Sequence, residues 1–115
     1  MEAYVEDYGV EGCDTLQKLL SSKEPVVIAF SSPTCGACMM YKPEFEAAKE
    51  IVNGKARFIW FNIASCPNTA FELGIPGTPT TIVIVNGEIA GAWIGAVPVE
   101  QLVEAVTQII SSYQR

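Results

Sequence analysis

The sequence contains no histidine, and its seven Lys and Arg stand against thirteen Asp and Glu, for a net charge of −6. Without histidine there can be no Ser/His or Cys/His nucleophile pair, no imidazole zinc ligand and no histidine switch near neutral pH. With so few bases the positive footprint that neutralises phosphates is missing, which argues against nucleic acid as a partner. The acidity is uneven: Glu2, Glu6, Asp7, Glu11 and Asp14 crowd the start, and no base occurs between Arg57 and Arg115. Such a bias reads as a solvated surface, with steering toward a basic partner as the alternative. Long hydrophobic runs are also lacking. The longest, Pro25 to Phe30 and Ile82 to Val85, fall far short of the roughly 20 residues of a membrane helix. The first residues carry acids where a secretory signal would carry positive charge, and the expectation is a cytosolic (cytoplasmic) chain.

What is present is a chain of 115 residues, 50% hydrophobic and 17% charged. That composition excludes intrinsic disorder and predicts one domain over residues 1–115 with a core of its own. The four cysteines are too few for a disulfide scaffold: Cys35 and Cys38 form a Cys-x-x-Cys pair, and Cys13 and Cys66 stand alone.

Leu16, Leu19 and Leu20 at helical spacing after Asp14 predict a short amphipathic helix. Pro25 to Phe30, continuous, apolar and rich in β-branched residues, reads as a strand buried on both faces of a parallel sheet. It ends in the turn Ser31–Thr34. From Cys35 to Val52 the pattern is helical, with Phe45, Ala48 and Val52 on one face and a kink expected at Pro43. Asn53–Gly54 stops that helix, and Ala56 to Ile63 reads as a second strand, completing a βαβ unit. A short helix is expected around Asn68 to Leu73, then a rigid loop over Ile75–Pro79. Thr80 to Val85 and Glu88 to Ile94 flank Asn86–Gly87, a strong signal for an antiparallel hairpin. Val99, Leu102, Val103, Val106 and Ile109–Ile110 predict a closing helix from Pro98 to Ser112. A further strand is expected near Tyr4–Val5. The sum is an α/β sandwich with a mixed sheet. Trp60, Trp93 and the phenylalanines alternate with strand spacing and read as packing rather than a ligand cage. Glu44 and Glu46, two apart on a helix, point to different faces and make no acid/base dyad.

The chemistry concentrates at Cys35-Gly36-Ala37-Cys38, where a buried strand hands over to a helix. Unpaired N–H groups and the positive dipole end at the helix N-terminus stabilise a thiolate at Cys35. The spacing of three brings Cys38 onto the same face, within reach of a mixed disulfide formed at Cys35. Gly36 allows the tight helix entry and the approach of a partner's backbone. A lone Cys-x-x-Cys can also be half of a zinc or iron–sulfur site, but the second pair that such a site needs is absent, since Cys13 and Cys66 are not so spaced. Cys13 reads as a small apolar residue.

These residues resemble the thioredoxin family over nearly the whole chain, from about Leu16 to Ile110. Thr34-Cys35-Gly36-Ala37-Cys38 matches the active-site loop, and Pro43 matches the proline of the following helix. Gly74-Ile75-Pro76-Gly77-Thr78-Pro79-Thr80 matches the loop that holds the family's cis-proline, Asn86-Gly87-Glu88 the hairpin, and Gly95-Ala96 the turn before the last helix. The resemblance implies a thioredoxin fold, α/β, with a central mixed β-sheet of four to five strands flanked by helices on both faces. It implies a thiol–disulfide oxidoreductase that reduces protein disulfides, with catalytic Cys35 and Cys38, active-site loop residues Thr34, Gly36 and Ala37, and substrate-binding Thr78 and Pro79 at a cis bond. Cys66 becomes a candidate regulatory thiol. The implied partners are disulfide-containing proteins and a thioredoxin-reductase-type recycling enzyme. No cofactor, metal, nucleic acid or membrane partner is expected, and the chain is expected to be a monomer. The departures are specific. Thr34 stands where the family usually has tryptophan, Ala37 where it has proline, Ala29 where it has a buried aspartate, and Trp60 where that aspartate has a lysine neighbour. Cys38 is thereby left without an obvious internal base. A more oxidising isomerase or oxidase, or a non-catalytic interaction module, are the alternatives.

Overall fold

In a computed structural model of the protein, residues 6–8 and 13–113 are described. Among them, the chain runs β1 (Glu6–Tyr8), α1 (Cys13–Leu20), β2 (Val26–Ser31), α2 (Gly36–Val52), β3 (Arg57–Asn62), a 3-10 turn (Ile63–Ser65), α3 (Pro67–Glu72), β4 (Thr80–Val85), β5 (Glu88–Ile94) and α4 (Val99–Tyr113). The strand expected near Tyr4–Val5 falls outside the described residues; the first strand observed begins at Glu6.

The five strands form one mixed sheet in the order β1-β3-β2-β4-β5. β3 pairs parallel with both β1 and β2, whereas β4 is antiparallel to β2 and to β5. The buried centre explains the apolar runs. Every residue of β2 and β4 is buried, so neither strand shows the alternation of a half-solvated one. Alternation persists as a choice between two cores. Val27 and Ala29 of β2, Phe58 and Trp60 of β3 and Val83 of β4 face the layer made by Tyr41, Phe45 and Ala48 of α2 with Leu102, Val106 and Ile110 of α4. Val26, Ile28, Phe30, Ile59, Phe61, Ile82 and Ile84 face Leu16 and Leu19 of α1 and Cys66. Helices therefore cover both faces.

Local chemistry sets the boundaries. Asn53 ends α2 in the left-handed region (φ 54°), its N–H donating to the Lys49 carbonyl at 2.9 Å. Asn86 and Gly87, both at positive φ, make the tight β4–β5 turn that needs two such residues in a row. α2 runs on through Pro43 to Val52, although the ring removes one rung of its hydrogen-bond ladder.

Candidate active site

β2 delivers the chain to the site. Ser31, buried at its end, donates its hydroxyl to the Phe61 carbonyl of β3 at 3.2 Å, which fixes where the strand stops. The turn closes with the Cys35 N–H donating to the Ser32 carbonyl at 3.2 Å. Cys35 then takes an extended backbone (φ −100°, ψ 107°) as the N-cap of α2, and its Sγ accepts the Cys38 N–H at 3.1 Å. A sulfur serving as a helix cap sits where the N-terminal amides and the helix dipole favour negative charge. No acidic residue in the first turn of α2 opposes that field. Cys35 is half-buried and Cys38 only 1% exposed, and the two are joined in a disulfide with Cα atoms 5.3 Å apart. The pair thus has an accessible member and a sheltered one, as sequential thiol–disulfide exchange requires.

Thr78–Pro79 is a cis peptide bond. Its neighbour Thr80 pairs with Phe30 of β2, so the start of β4 lies at the same end of the sheet as the turn that leads to Cys35. Gly95 donates its N–H to the Pro79 carbonyl at 2.8 Å, and Thr80 donates its hydroxyl to the Gly77 carbonyl at 2.6 Å. Gly36, Ala37 and Thr34 are exposed around the pair.

Beneath the site the region is apolar but not without polar groups. Ala29 is fully buried and pairs across the sheet with Trp60 on one side and Thr81 on the other. The Lys42 Nζ lies 5.5 Å from the Trp60 ring centroid. Reading the sequence missed one feature here: the hydroxyls of Tyr41 and Thr81, both buried, are 2.8 Å apart. Tyr41 lies three residues after Cys38 and Thr81 two after Pro79; the antiparallel β2–β4 register sets Thr81 opposite Ala29, and Tyr41 shares a core cluster with Ala29. Burial pushes the Tyr41 phenol up to about 12, with the Glu44 carboxylate adding to the rise and the Thr81 hydrogen bond opposing it. Glu44 also has a structural task, its Oε1 accepting the N–H of Val99 at 3.1 Å, an N-terminal amide of α4.

The Tyr41 shift gives a testable sign. The unfolded chain's phenol ionises near pH 10, so between there and about 12 the folded protein holds the proton more tightly. Stability present below pH 10 is therefore lost as pH rises through that window, by at most about 1.4 kcal/mol per pH unit. Between about pH 9 and about pH 11, urea unfolding is expected to show wild type losing roughly 1 kcal/mol more than Tyr41→Phe. Equal losses in the two proteins would remove Tyr41 from this account.

The structure also departs from the sequence reading at the other two cysteines. Cys13, expected as a small apolar residue, and Cys66, the candidate regulatory thiol, are bonded to each other with Cα atoms 5.5 Å apart. Among the described residues no cysteine is free, and no group of three or more Cys, Asp or Glu is placed to hold a metal ion.

A thioredoxin family model matches residues 7–108. Thioredoxin M4, chloroplastic, of Arabidopsis thaliana is 34% identical over 108 residues, covering 94% of this chain and 56% of the relative. The thioredoxin of Synechocystis sp. is 33% identical over 82 residues, 71% of this chain and 77% of the relative. Among solved structures, the thioredoxin of Malassezia sympodialis superimposes with a TM-score of 0.81 at 27% identity, covering 94% of this chain and 92% of that one. The chain spans about half the length of the chloroplastic relatives it matches. The cytosolic expectation is corrected by these relatives, several of which are chloroplastic M-type thioredoxins. The charge of a few residues at the start of the sequence does not encode a compartment.

Proposed function

Because the chain belongs to the thioredoxin family, we propose that it is a thiol–disulfide oxidoreductase that reduces disulfides in protein substrates through Cys35 and Cys38. The observation that carries this reading is the half-buried Cys35 Sγ at the N-terminus of α2, accepting the Cys38 N–H at 3.1 Å. In the reduced protein the Cys35 thiolate attacks one sulfur of a substrate disulfide. The Cys35–substrate bond forms, the substrate's own S–S bond breaks, and the expelled sulfur takes up a proton. Cys38 then loses its proton and attacks the Cys35 sulfur, closing the Cys35–Cys38 bond and releasing the second substrate thiol. Two electrons pass from the cysteine pair to the substrate. With Ala29 in place of a carboxylate, the Cys38 proton goes to water or to a partner group.

Thr78 binds the substrate as an extended segment through backbone hydrogen bonds, and Pro79, which has no N–H and whose carbonyl accepts from Gly95, holds the cis bond that presents Thr78 to the substrate. Met39 and Met40, 72% and 78% exposed just past Cys38, and Ile94, 76% exposed just before Gly95, supply adaptable apolar contact for varied sequences. The chain acts as one domain and a monomer, on disulfide-containing proteins, and a thioredoxin-reductase-type enzyme restores the dithiol. Its place is in cellular electron transport and redox homeostasis.

The departures at Thr34, Ala37 and Ala29 favour a second reading, a more oxidising isomerase. Insulin mixed with dithiothreitol tests the first: catalytic amounts of the protein are expected to bring forward the precipitation of the insulin B chain. No acceleration over dithiothreitol alone would reject disulfide reduction as the activity.

A further inference from the structure

Forming a Cys13–Cys66 disulfide joins positions 53 residues apart. Cys13 opens α1, and Cys66 follows the 3-10 turn that leaves β3 and precedes Pro67 of α3. The Cα separation of 5.5 Å lies within the range that disulfides span. The same two helices are tied a second time, the Gln17 amide donating to the Thr69 hydroxyl at 3.4 Å.

We propose that Cys13–Cys66 is a second, non-exchanging disulfide, a clamp between α1 and α3 that stays closed while the Cys35–Cys38 couple turns over. That the couple turns over rests on the proposed reductase function; that Cys13–Cys66 stays closed does not. Its ground is a contrast in surroundings. Exchange requires an incoming thiolate to approach one sulfur in line with the S–S bond and to expel the other as a thiolate. At the active pair the attackable sulfur caps a 17-residue helix and accepts an N–H. At the second pair, Cys66 is 3% exposed among Leu16, Phe30, Phe61 and Ile82, so attack on its sulfur is blocked. Attack on the half-buried Cys13 would expel the Cys66 thiolate into that apolar cluster. Cys38 is equally buried, so the difference lies in the polar partner: the Cys35 sulfur accepts an N–H, whereas the Cys66 side chain caps no N–H of α3 and burial without a partner penalises charge. Asp14, beside Cys13 in the first turn of α1, further repels an incoming anion.

The clamp has a structural consequence at the active-site end of the sheet, where β3 also stops. α3 continues through Leu73 and Gly74 to Ile75, whose N–H donates to the Ala70 carbonyl at 3.0 Å, and then into the loop holding Thr78–Pro79. Anchoring α3 anchors the stem of that loop.

The test is thiol accounting on the folded wild-type protein. Dithiothreitol, a dithiol that takes up the disulfide as it gives two electrons, is added and free thiols are alkylated at intervals and mapped by mass spectrometry. Cys35 and Cys38 are expected to be labelled first, with Cys13 and Cys66 at least about 100-fold slower until guanidinium is added. Labelling of all four at similar rates, or Cys13 and Cys66 found as free thiols in the isolated protein, would overturn the proposal. A Cys13→Ser, Cys66→Ser double variant supplies the second measurement. Losing a closure across so long a loop is expected to lower Tm by roughly 10 °C or more. An unchanged Tm would contradict the clamp. Should the variant fail to fold, the labelling of wild type decides alone, and failure of the reductase reading would leave the labelling pattern intact.

Discussion

Cys35→Ser is expected to lower the rate of insulin reduction by about a thousandfold or more, to the level of dithiothreitol alone. Serine keeps the size and the capping oxygen but not the chemistry, because a hydroxyl at the end of α2 does not ionise near neutral pH as a thiol can. The fold should survive, since Cys35 is half-buried and an N-cap serine is among the best residues for that position. Far-ultraviolet circular dichroism and Tm should stay close to wild type. Cys38→Ser must behave differently. The first attack remains available, so the protein is expected to accumulate as a covalent adduct with one substrate chain, visible on a non-reducing gel and dissolved by excess dithiothreitol. If the two variants lose activity equally and neither forms an adduct, Cys35 is not the attacking sulfur. If Cys38→Ser turns over at the wild-type rate, Cys38 does not resolve the intermediate.

Phe45→Ala is expected to cost roughly 3–5 kcal/mol of stability, the range for truncating a fully buried aromatic residue. The ring is fully buried and lies 5.8 Å from Tyr41, 5.1 Å from Phe58 and 5.6 Å from Trp60 between centroids. Removing it takes away apolar burial and three ring contacts at once, and leaves a void between α2 and β3. Those neighbours sit on a long helix and a central strand, so collapse into the gap is restricted and the upper part of the range applies. Guanidinium unfolding checks it, and a loss below about 1 kcal/mol would mean that this core repacks. Tyr41 and Trp60 border the same region as Ala29 and Cys38, so Phe45→Ala should also slow insulin reduction, by less than either cysteine variant does.

Most of the architecture was legible because it is written in short-range patterns. β2 and β4 are unbroken apolar runs, Asn86–Gly87 fixes the hairpin through its two positive φ angles, and the spacing of Leu102, Val106 and Ile110 carries α4. The active-site pair was legible for the same reason, with two residues between its members and a strand and helix on either side. What escaped reading depends on register or distance along the chain. Four cysteines allow three pairings, and Cys13 meets Cys66 only because β3 and α1 pack on one face of the sheet. Tyr41 meets Thr81 across 40 positions, and Glu44 meets Val99 across 55. A tyrosine and a threonine in apolar stretches gave no signal that they share a hydrogen bond where the family places a carboxylate. The compartment was not legible, because the charge of a few residues does not encode it.

The central claim is that the Cys35–Cys38 couple is poised to give electrons to protein disulfides. Equilibrating the protein in dithiothreitol or glutathione buffers of graded potential, then alkylating and mapping Cys35 and Cys38, measures that poise without reference to any substrate. Reducing members of the family have potentials of roughly −270 mV, a value taken from the family. The account predicts a two-electron midpoint below about −230 mV for Cys35–Cys38. A midpoint near −180 mV, that of the disulfide isomerases, would contradict it and make the protein a donor of disulfides.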